Sequence, residues 1–209
     1  MPVTSQTFLS GNLKLEGAIH LPEGSGEKLP GVVLCHPHPL YGGDMNNNVV
    51  VAISRVLSER GIIALRFNFR GVGLSEGSFD DGNGEQDDLR AALAALAERP
   101  EVDPNRLGIM GYSFGGMVAL AVGKNCEQVL ALVAVSPVVT PGLMQGLSIP
   151  AYIICGTEDH VVSTDLLIRE AEAMNLPGQV EVVQGVDHFW VGYETEMAAK
   201  VAVFFENVF

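Results

Sequence analysis

Two stretches of this sequence have the pattern Gly-x-Ser-x-Gly, which can hold a nucleophilic serine between two glycines. They are residues 73–77 and 111–115, and their sequence contexts differ. Ser113 follows a short apolar run that ends at Met110, and it precedes a segment that can continue as a helix. A tight turn between strand and helix exposes the hydroxyl, and the flanking glycines relieve crowding around it. Ser75 runs into a Gly- and Asp-rich segment, so we interpret Ser113 as the nucleophile and Ser75 as a loop residue.

A serine hydroxyl becomes a good nucleophile when a general base takes its proton and an acid orients that base. Two histidines follow Ser113 in the sequence, His160 and His188. We favour His188 as the base, because it follows a predicted strand through a short turn. His160 comes directly after the preferred acid, Asp159, so these two side chains would leave the backbone in different directions.

The acid is expected in the segment that follows the apolar run ending at Cys155. Asp159 is our prediction, with Glu158 as its main competitor and Asp187 and Asp165 as weaker candidates. Asp187 neighbours the base in sequence, which usually prevents its carboxylate from meeting Nδ1 of that ring. The alternative for each of these acids is a solvated loop carboxylate, the commonest environment of such side chains.

Acyl transfer also needs N–H donors that stabilise negative charge on the carbonyl oxygen of the substrate. The backbone N–H of Phe114, directly after the nucleophile, is the first expected donor. The second should come from residues 36–43, which read HPHPLYGG. Proline has no N–H, so His38 is the favoured donor, and Leu40 or Tyr41 remain alternatives.

The histidines of this loop, His36 and His38, also raise the question of a metal site. The adjacent Cys35 ends an apolar run, and no HExxH-type helix supplies the remaining ligands of a zinc site. We therefore predict neither a metal nor a cofactor, and we expect His36 to make a structural hydrogen bond under the loop.

Two arginines, Arg66 and Arg70, lie near the end of another predicted strand. Such a basic pair could hold an anionic substrate. We favour a structural role, in which Arg70 fixes the following turn through hydrogen bonds and ion pairs with carbonyls or acids.

Apolar runs alternate with segments of helical periodicity along the chain. The predicted strands are Thr7–Ser10, Leu13–Leu21, Gly31–Cys35, Ile62–Phe69, Arg106–Met110, Val129–Val135, Ala151–Cys155 and Gln179–Gln184. The predicted helices are Asn47–Arg60, Glu85–Arg99, the segment after Ser113, Thr164–Met174 and Glu194–Val208. This alternation predicts an α/β fold with an antiparallel start and a mostly parallel sheet covered by helices on both faces. Ligand sites in such sheets lie beyond the carboxyl ends of the strands.

The overall composition limits the classes of function. A length of 209 residues fits one α/β domain over residues 1–209, and the net charge of −13 argues against nucleic acid or an anionic membrane as partner. Three widely spaced cysteines, Cys35, Cys126 and Cys155, indicate a reduced compartment. The first residues lack the features of a signal peptide, and the most apolar run is too short to span a membrane. We expect a cytoplasmic protein.

The candidate residues together resemble the α/β-hydrolase superfamily over nearly the whole chain. The resemblance rests on the motif around Ser113, the G-x-x-D-x-x-V segment that contains Asp159, His188, and the R-G-x-G-x-S segment that begins at Arg70. More narrowly, residues 36–43 and 66–77 are similar to a small bacterial group of lidless hydrolases related to dienelactone hydrolases. Dienelactone hydrolase itself uses a cysteine nucleophile, whereas this chain has serine.

Lids in this superfamily are usually inserted after the strand that here is Val129–Val135. The following connection, residues 136–148, is too short and too rich in Pro and Gly for a helical lid. We therefore predict an open, partly apolar substrate site. The residues expected to bound it are Leu40, Tyr41, Val138, Met144 and Trp190.

The function predicted from these residues is a serine hydrolase that cleaves small carboxylic esters or thioesters through an acyl-enzyme. One alternative is a prolyl-type peptidase, which shares the fold and the triad. Another is a catalytically silent ligand-binding or scaffold member of the same fold. The sequence leaves open the physiological substrate, the leaving group, and whether the protein is a monomer or a homodimer.

Overall fold

A computed structural model of the chain contains a mixed sheet with helices on both faces. The structure describes residues 2–24, 26–174 and 178–209, so the predicted domain of 1–209 includes a few positions outside the described residues. The strands are β1 (Val3–Ser10), β2 (Leu13–His20), β3 (Leu29–Cys35), β4 (Ile63–Phe67), β5 (Val102–Tyr112), β6 (Val129–Val135), β7 (Ala151–Gly156) and β8 (Gly178–Val183). The helices are α1 (Asn48–Glu59), α2 (Asn83–Ala97), α3 (Phe114–Gly123), α4 (Thr164–Met174) and α5 (Glu194–Val208), with a short 3₁₀ helix at Pro39–Tyr41.

The strand order confirms the predicted sheet, mostly parallel with an antiparallel start. It is β1-β2-β4-β3-β5-β6-β7-β8, and only the β1–β2 and β2–β4 pairs are antiparallel among the described strands. Cys35 pairs with Gly111, and Tyr112 pairs with Val135. The carboxyl ends of β3, β5 and β6 therefore lie side by side, and the loops that follow them converge at one edge of the sheet.

Two apolar layers hold the sheet between its helices. Successive side chains of a strand point to opposite faces, so Val33 and Cys35 pack in the layer with α2, α3 and α4. Val32 and Leu34 pack in the opposite layer with α1 and α5. All three cysteines are free, and burial raises the pKa of the Cys155 thiol to about 11.

The predicted element bounds agree with the structure at β6, α4 and α5 and differ elsewhere. β5 begins at Val102, four residues before the predicted start, because Val102 pairs with Leu29 at the beginning of β3. β4 ends at Phe67, two residues before the predicted end. The backbone N–H of Phe69 donates to the ring of His36, so the chain has already left the sheet there.

The connection from β6 to β7 forms turns rather than a lid, as predicted. Met144 and Leu147 of this connection are buried in the layer that contains α3, so the segment packs down on the domain. Among the described residues, no helix combines the length and the apolar character that crossing a membrane requires.

Candidate active site

Ser113 occupies the turn between β5 and α3, as the sequence predicts. Its φ of 56° and ψ of −116° are unusual for a residue with a side chain, and strain of this kind is typical of a nucleophile elbow. A Cβ atom at Gly111 would overlap the carbonyl of Gly115. A Cβ atom at Gly115 would lie 2.5 Å from the carbonyl oxygen of Cys35. Both glycines are therefore required by the close approach of the backbone segments around the serine.

Three side chains from separate loops form one hydrogen-bonded chain. His188 Nε2 lies 3.0 Å from Ser113 Oγ, and His188 Nδ1 lies 2.8 Å from Asp159 Oδ2. All three residues are buried. A carboxylate can only accept here, so Nδ1 carries the ring proton and donates it in a hydrogen bond to Asp159. The lone pair of Nε2 therefore faces the serine hydroxyl. This is the geometry in which a histidine can take the serine proton while the acid stabilises the resulting imidazolium.

Asp159 is held as a carboxylate by several hydrogen bonds. Its Oδ1 accepts from the backbone N–H groups of Val161 and Val162, each at 3.0 Å. Burial alone would raise the pKa of Asp159, but the hydrogen bonds from His188, Val162 and the Ser136 hydroxyl outweigh it and hold the pKa below its usual value. The acid therefore stays charged while it orients the histidine.

The competing acids and the second histidine lie elsewhere. Glu158 and His160 are exposed, and Asp165 lies in the first turn of α4. Asp187 accepts hydrogen bonds from the backbone N–H groups of Phe189 and Trp190, so its carboxylate fixes the turn around the histidine. The structure brings none of these four together with Ser113.

Two supporting residues were not found from the sequence. The hydroxyl of Tyr112, directly before the nucleophile, donates to the backbone carbonyl of His188 at 2.8 Å. Ser136 is fully buried at the end of β6, with φ at 40°, and its hydroxyl oxygen accepts from Trp190 Nε1 at 3.1 Å. These contacts hold the base and the acid in position, but they join residues far apart in the sequence and leave no local pattern.

Two backbone N–H groups are available near Ser113 for an oxyanion. In the described part of the chain, the N–H groups of Phe114 and His38 donate to no protein acceptor. The alternatives are already committed, because Leu40 N–H donates to His38 Nδ1 and Tyr41 N–H donates to the His38 carbonyl. The pair predicted from the sequence, Phe114 and His38, thus remains the candidate oxyanion hole.

An open cavity of about 300 Å³ lies beside Ser113 and His188. Besides these two residues, it is lined by Pro37, His38, Tyr41, Gly42, Gly43, Asn47, Tyr112, Val161 and Phe189. A larger groove of about 610 Å³ runs along the β1–β2 hairpin, but its lining includes no member of the triad. We therefore assign substrate binding to the smaller cavity.

The predicted rim was wrong for two of its five residues. Met144 lies in the core, and Trp190 is 1% exposed with its indole N–H bonded to Ser136. Leu40 is exposed and Val138 is half-buried, and neither belongs to the lining, so of the five only Tyr41 lines the cavity. The sequence analysis missed Val161 and Phe189, which are exposed beside the triad.

His36 makes the structural hydrogen bonds expected of it. Its Nδ1 donates to the Pro37 carbonyl at 2.6 Å, and its Nε2 accepts from the N–H of Phe69 at 3.1 Å. Both ring nitrogens are thus committed to protein groups and cannot bind a metal in this conformation. In the described part of the chain, no cluster of His, Cys, Asp and Glu has the composition of a metal site.

Buried histidines are expected to make folding sensitive to acid. Burial lowers the pKa of His36 to about 4, against an ordinary value of 6.5. Between these values the unfolded chain binds a proton that the folded chain does not, so stability is lost as pH falls from about 6.5 to about 4. The expected loss for this residue is on the order of 3 kcal/mol in the free energy of unfolding.

Urea unfolding at several pH values between about 7 and about 4 measures this loss in the free energy of unfolding. His36→Gln should flatten the pH dependence even though it lowers stability at neutral pH. His20, also buried with a pKa lowered to about 4 by burial and by Arg66, should keep part of the dependence in that variant. An equal slope in the variant and the natural chain would contradict the assignment to His36.

The two arginines have structural roles. Arg70 donates through Nε and Nη2 to both carboxylate oxygens of Asp88, at 3.0 and 2.8 Å. Arg66 donates to His20 Nε2, to the Met45 carbonyl and to the side chain of Asn46. The structural role favoured for Arg70 is confirmed, and Arg66 ties β4 to the loop before α1.

Comparisons with known proteins place the chain among hydrolases. The model of the dienelactone hydrolase family matches residues 79–203, which include Ser113, Asp159 and His188. An uncharacterized protein from Rickettsia prowazekii is 36% identical over 183 residues, or 82% of this chain and 76% of that protein. The structure of an alpha-beta serine hydrolase homologue from Coxiella burnetii has a TM-score of 0.87 and 32% identity, covering 99% of this chain and 97% of its own. The structure of a serine hydrolase without a lid from Xanthomonas campestris has a TM-score of 0.87 and 30% identity. The match covers 99% of this chain and 96% of the Xanthomonas chain.

Proposed function

The chain belongs to the dienelactone hydrolase family, and we propose that it is a serine hydrolase that cleaves small carboxylic esters or thioesters. The observation that carries the proposal is the hydrogen-bonded chain from Ser113 through His188 to Asp159. The buried cysteines support serine as the nucleophile, because burial raises the pKa of Cys35 and Cys155 and keeps both as thiols.

In the first half of the reaction, the acyl group moves to the enzyme. Ser113 Oγ bonds to the carbonyl carbon while its proton passes to His188 Nε2, and the carbonyl electrons move to the oxygen. The N–H groups of Phe114 and His38 stabilise this oxyanion. When the carbonyl re-forms, the bond to the leaving oxygen or sulfur breaks, and the leaving group takes the proton from Nε2.

In the second half, water releases the acyl group. Its oxygen bonds to the acyl carbon while one of its protons passes to His188 Nε2. Collapse of this second intermediate breaks the bond to Ser113 Oγ, which takes the proton back. The products are a carboxylic acid and the free enzyme, and Asp159 accepts the hydrogen bond from Nδ1–H of His188 in both halves.

A fluorophosphonate probe and a short nitrophenyl ester test this function together. The probe should label Ser113, and the ester should be hydrolysed much faster than a peptide anilide. Activity should survive EDTA, because the proposed mechanism uses no metal ion. An unlabelled folded protein that hydrolyses neither substrate would contradict the enzyme assignment. Loss of activity in EDTA that zinc restores would contradict the metal-free mechanism.

A further inference from the structure

The cavity beside Ser113 is built for an uncharged substrate. We propose that the site accepts neutral esters and discriminates against esters that carry a carboxylate within the cavity. This inference rests on the proposed function and deepens it by naming the charge of the substrate.

The lining supplies no permanent cation. Among the described residues that form it, the titratable side chains are His38, His188 and two tyrosines, Tyr41 and Tyr112. His38 Nδ1 accepts a hydrogen bond from the N–H of Leu40, so this ring is neutral in the observed conformation. The neutral form of His188 is likewise the one that acts as base. A carboxylate in the cavity would therefore find no ion-pair partner.

Nearby carboxylates make the cavity wall electronegative. Burial raises the pKa of the Tyr112 hydroxyl, and the negative charges of Asp159 and Asp187 raise it further. Both carboxylates also bond to residues that line the cavity. Asp159 Oδ2 lies 2.8 Å from His188 Nδ1, and Asp187 Oδ1 accepts from the backbone N–H of Phe189 at 2.9 Å. These local charges have the same sign as the net charge of −13.

The two arginines considered for substrate binding, Arg66 and Arg70, already bind other groups of the protein. Both carboxylate oxygens of Asp88 bind the guanidinium of Arg70, which is only 15% exposed. Arg66 donates through Nε to His20 of β2 and through Nη1 to Met45 and Asn46 of the loop before α1. Neither side chain belongs to the cavity lining, so neither can serve an anionic substrate there.

The lining does offer hydrogen-bond donors that suit neutral groups. Asn47 Oδ1 accepts from the N–H of Val49, which leaves the Nδ2 donor without a partner among the described residues. His38 must carry its proton on Nε2, because Nδ1 acts as an acceptor. Amide and imidazole N–H groups can bind a carbonyl or ether oxygen, but they compensate poorly for the desolvation of a full charge.

A matched pair of substrates tests the inference. 4-Nitrophenyl methyl adipate and 4-nitrophenyl hydrogen adipate share the scissile bond, the leaving group and the acyl chain, and they differ in one negative charge. We expect kcat/KM for the neutral diester to exceed that for the acid by about tenfold or more at low ionic strength. Because the cause is electrostatic, the ratio should shrink in about 0.5 M salt.

Val161 provides a matched pair of variants. Its side chain lines the cavity and is 60% exposed, so a longer polar side chain fits without loss of core contacts. Val161→Lys adds a cation, whereas Val161→Gln adds similar bulk without charge. Relative to Val161→Gln, Val161→Lys should lower the preference for the diester about fivefold or more.

The outcomes separate this inference from the proposed function. Equal hydrolysis of both adipates, or a preference for the acid, would overturn the charge selectivity and leave the serine hydrolase standing. A preference that salt and Val161→Lys do not change would overturn the electrostatic cause. Failure to hydrolyse either adipate, with no probe on Ser113, would overturn both proposals.

Discussion

Replacing Ser113 by alanine is expected to abolish ester hydrolysis and leave the fold intact. The hydroxyl makes the 3.0 Å contact with His188 Nε2, and its removal takes away the nucleophile without opening a core cavity. Serine and alanine both carry a Cβ atom, so the substitution adds no strain to the backbone at this position. Removing a triad member can cost on the order of 10⁴–10⁶ in rate. Steady-state kinetics on 4-nitrophenyl acetate and circular dichroism measure the two effects.

Ser75→Ala is the matched control, because Ser75 is the serine of the other Gly-x-Ser-x-Gly pattern. Its hydroxyl donates to the Asn68 carbonyl at 2.7 Å and accepts from the N–H of Glu16 at 3.1 Å. The variant should lose about 1–3 kcal/mol of stability, since the buried Asn68 carbonyl and the half-buried Glu16 N–H lose their hydrogen-bond partner. Its activity per folded molecule should stay largely unchanged. An inactive Ser75→Ala variant together with an active Ser113→Ala variant would show that Ser75, and not Ser113, is the nucleophile.

The two serines show why part of this site could be predicted from the sequence. The strand before Ser113, the glycines around it and the helix after it are all local signals within about a dozen residues. Chain order then limits the acid and the base to loops after later strands. A parallel sheet brings those loops to one edge, so residues 75 positions apart, Ser113 and His188, come within hydrogen-bond distance.

The substrate rim could not be derived in the same way. Trp190 has the size and polarity of a rim residue, but its backbone adopts φ at 59° and its indole bonds to Ser136 inside the domain. Met144 packs into the core because its connection folds back on α3 rather than crossing the site. Such placements depend on tertiary packing between distant segments, so they cannot be predicted from composition or periodicity.

The choice between oxyanion donors was limited for a related reason. Eliminating Pro37 and Pro39 left three candidates, and the sequence alone could not exclude Leu40 or Tyr41. The turn that follows His38 commits both of their N–H groups to His38 itself. The exclusion of Leu40 and Tyr41 as oxyanion donors therefore depends on the conformation of one 3₁₀ turn.

Asp159→Asn should lower kcat by roughly 10⁴ while preserving the fold. The amide oxygen can still accept from the N–H groups of Val161 and Val162, which fixes the side chain as in the natural protein. The amide NH₂ would then face His188 Nδ1, which must become an acceptor. The ring proton moves to Nε2, facing Ser113, and the base can no longer take the serine proton. The loss should appear in kcat on one short ester, with circular dichroism unchanged.

Glu158→Gln is the control for Asp159→Asn, because it removes the neighbouring charge by the same chemical change. Glu158 is exposed, and its carboxylate lies 3.5 Å from the hydroxyl of Thr157 and makes no contact with the triad. Losing that charge neither reorients His188 nor disturbs core packing, so the expected change in kcat is small. If Glu158→Gln were inactive and Asp159→Asn retained full activity, the acid would have been misplaced by one residue. The tautomer of His188 would then have to be set by a group other than the carboxylate 2.8 Å from its Nδ1.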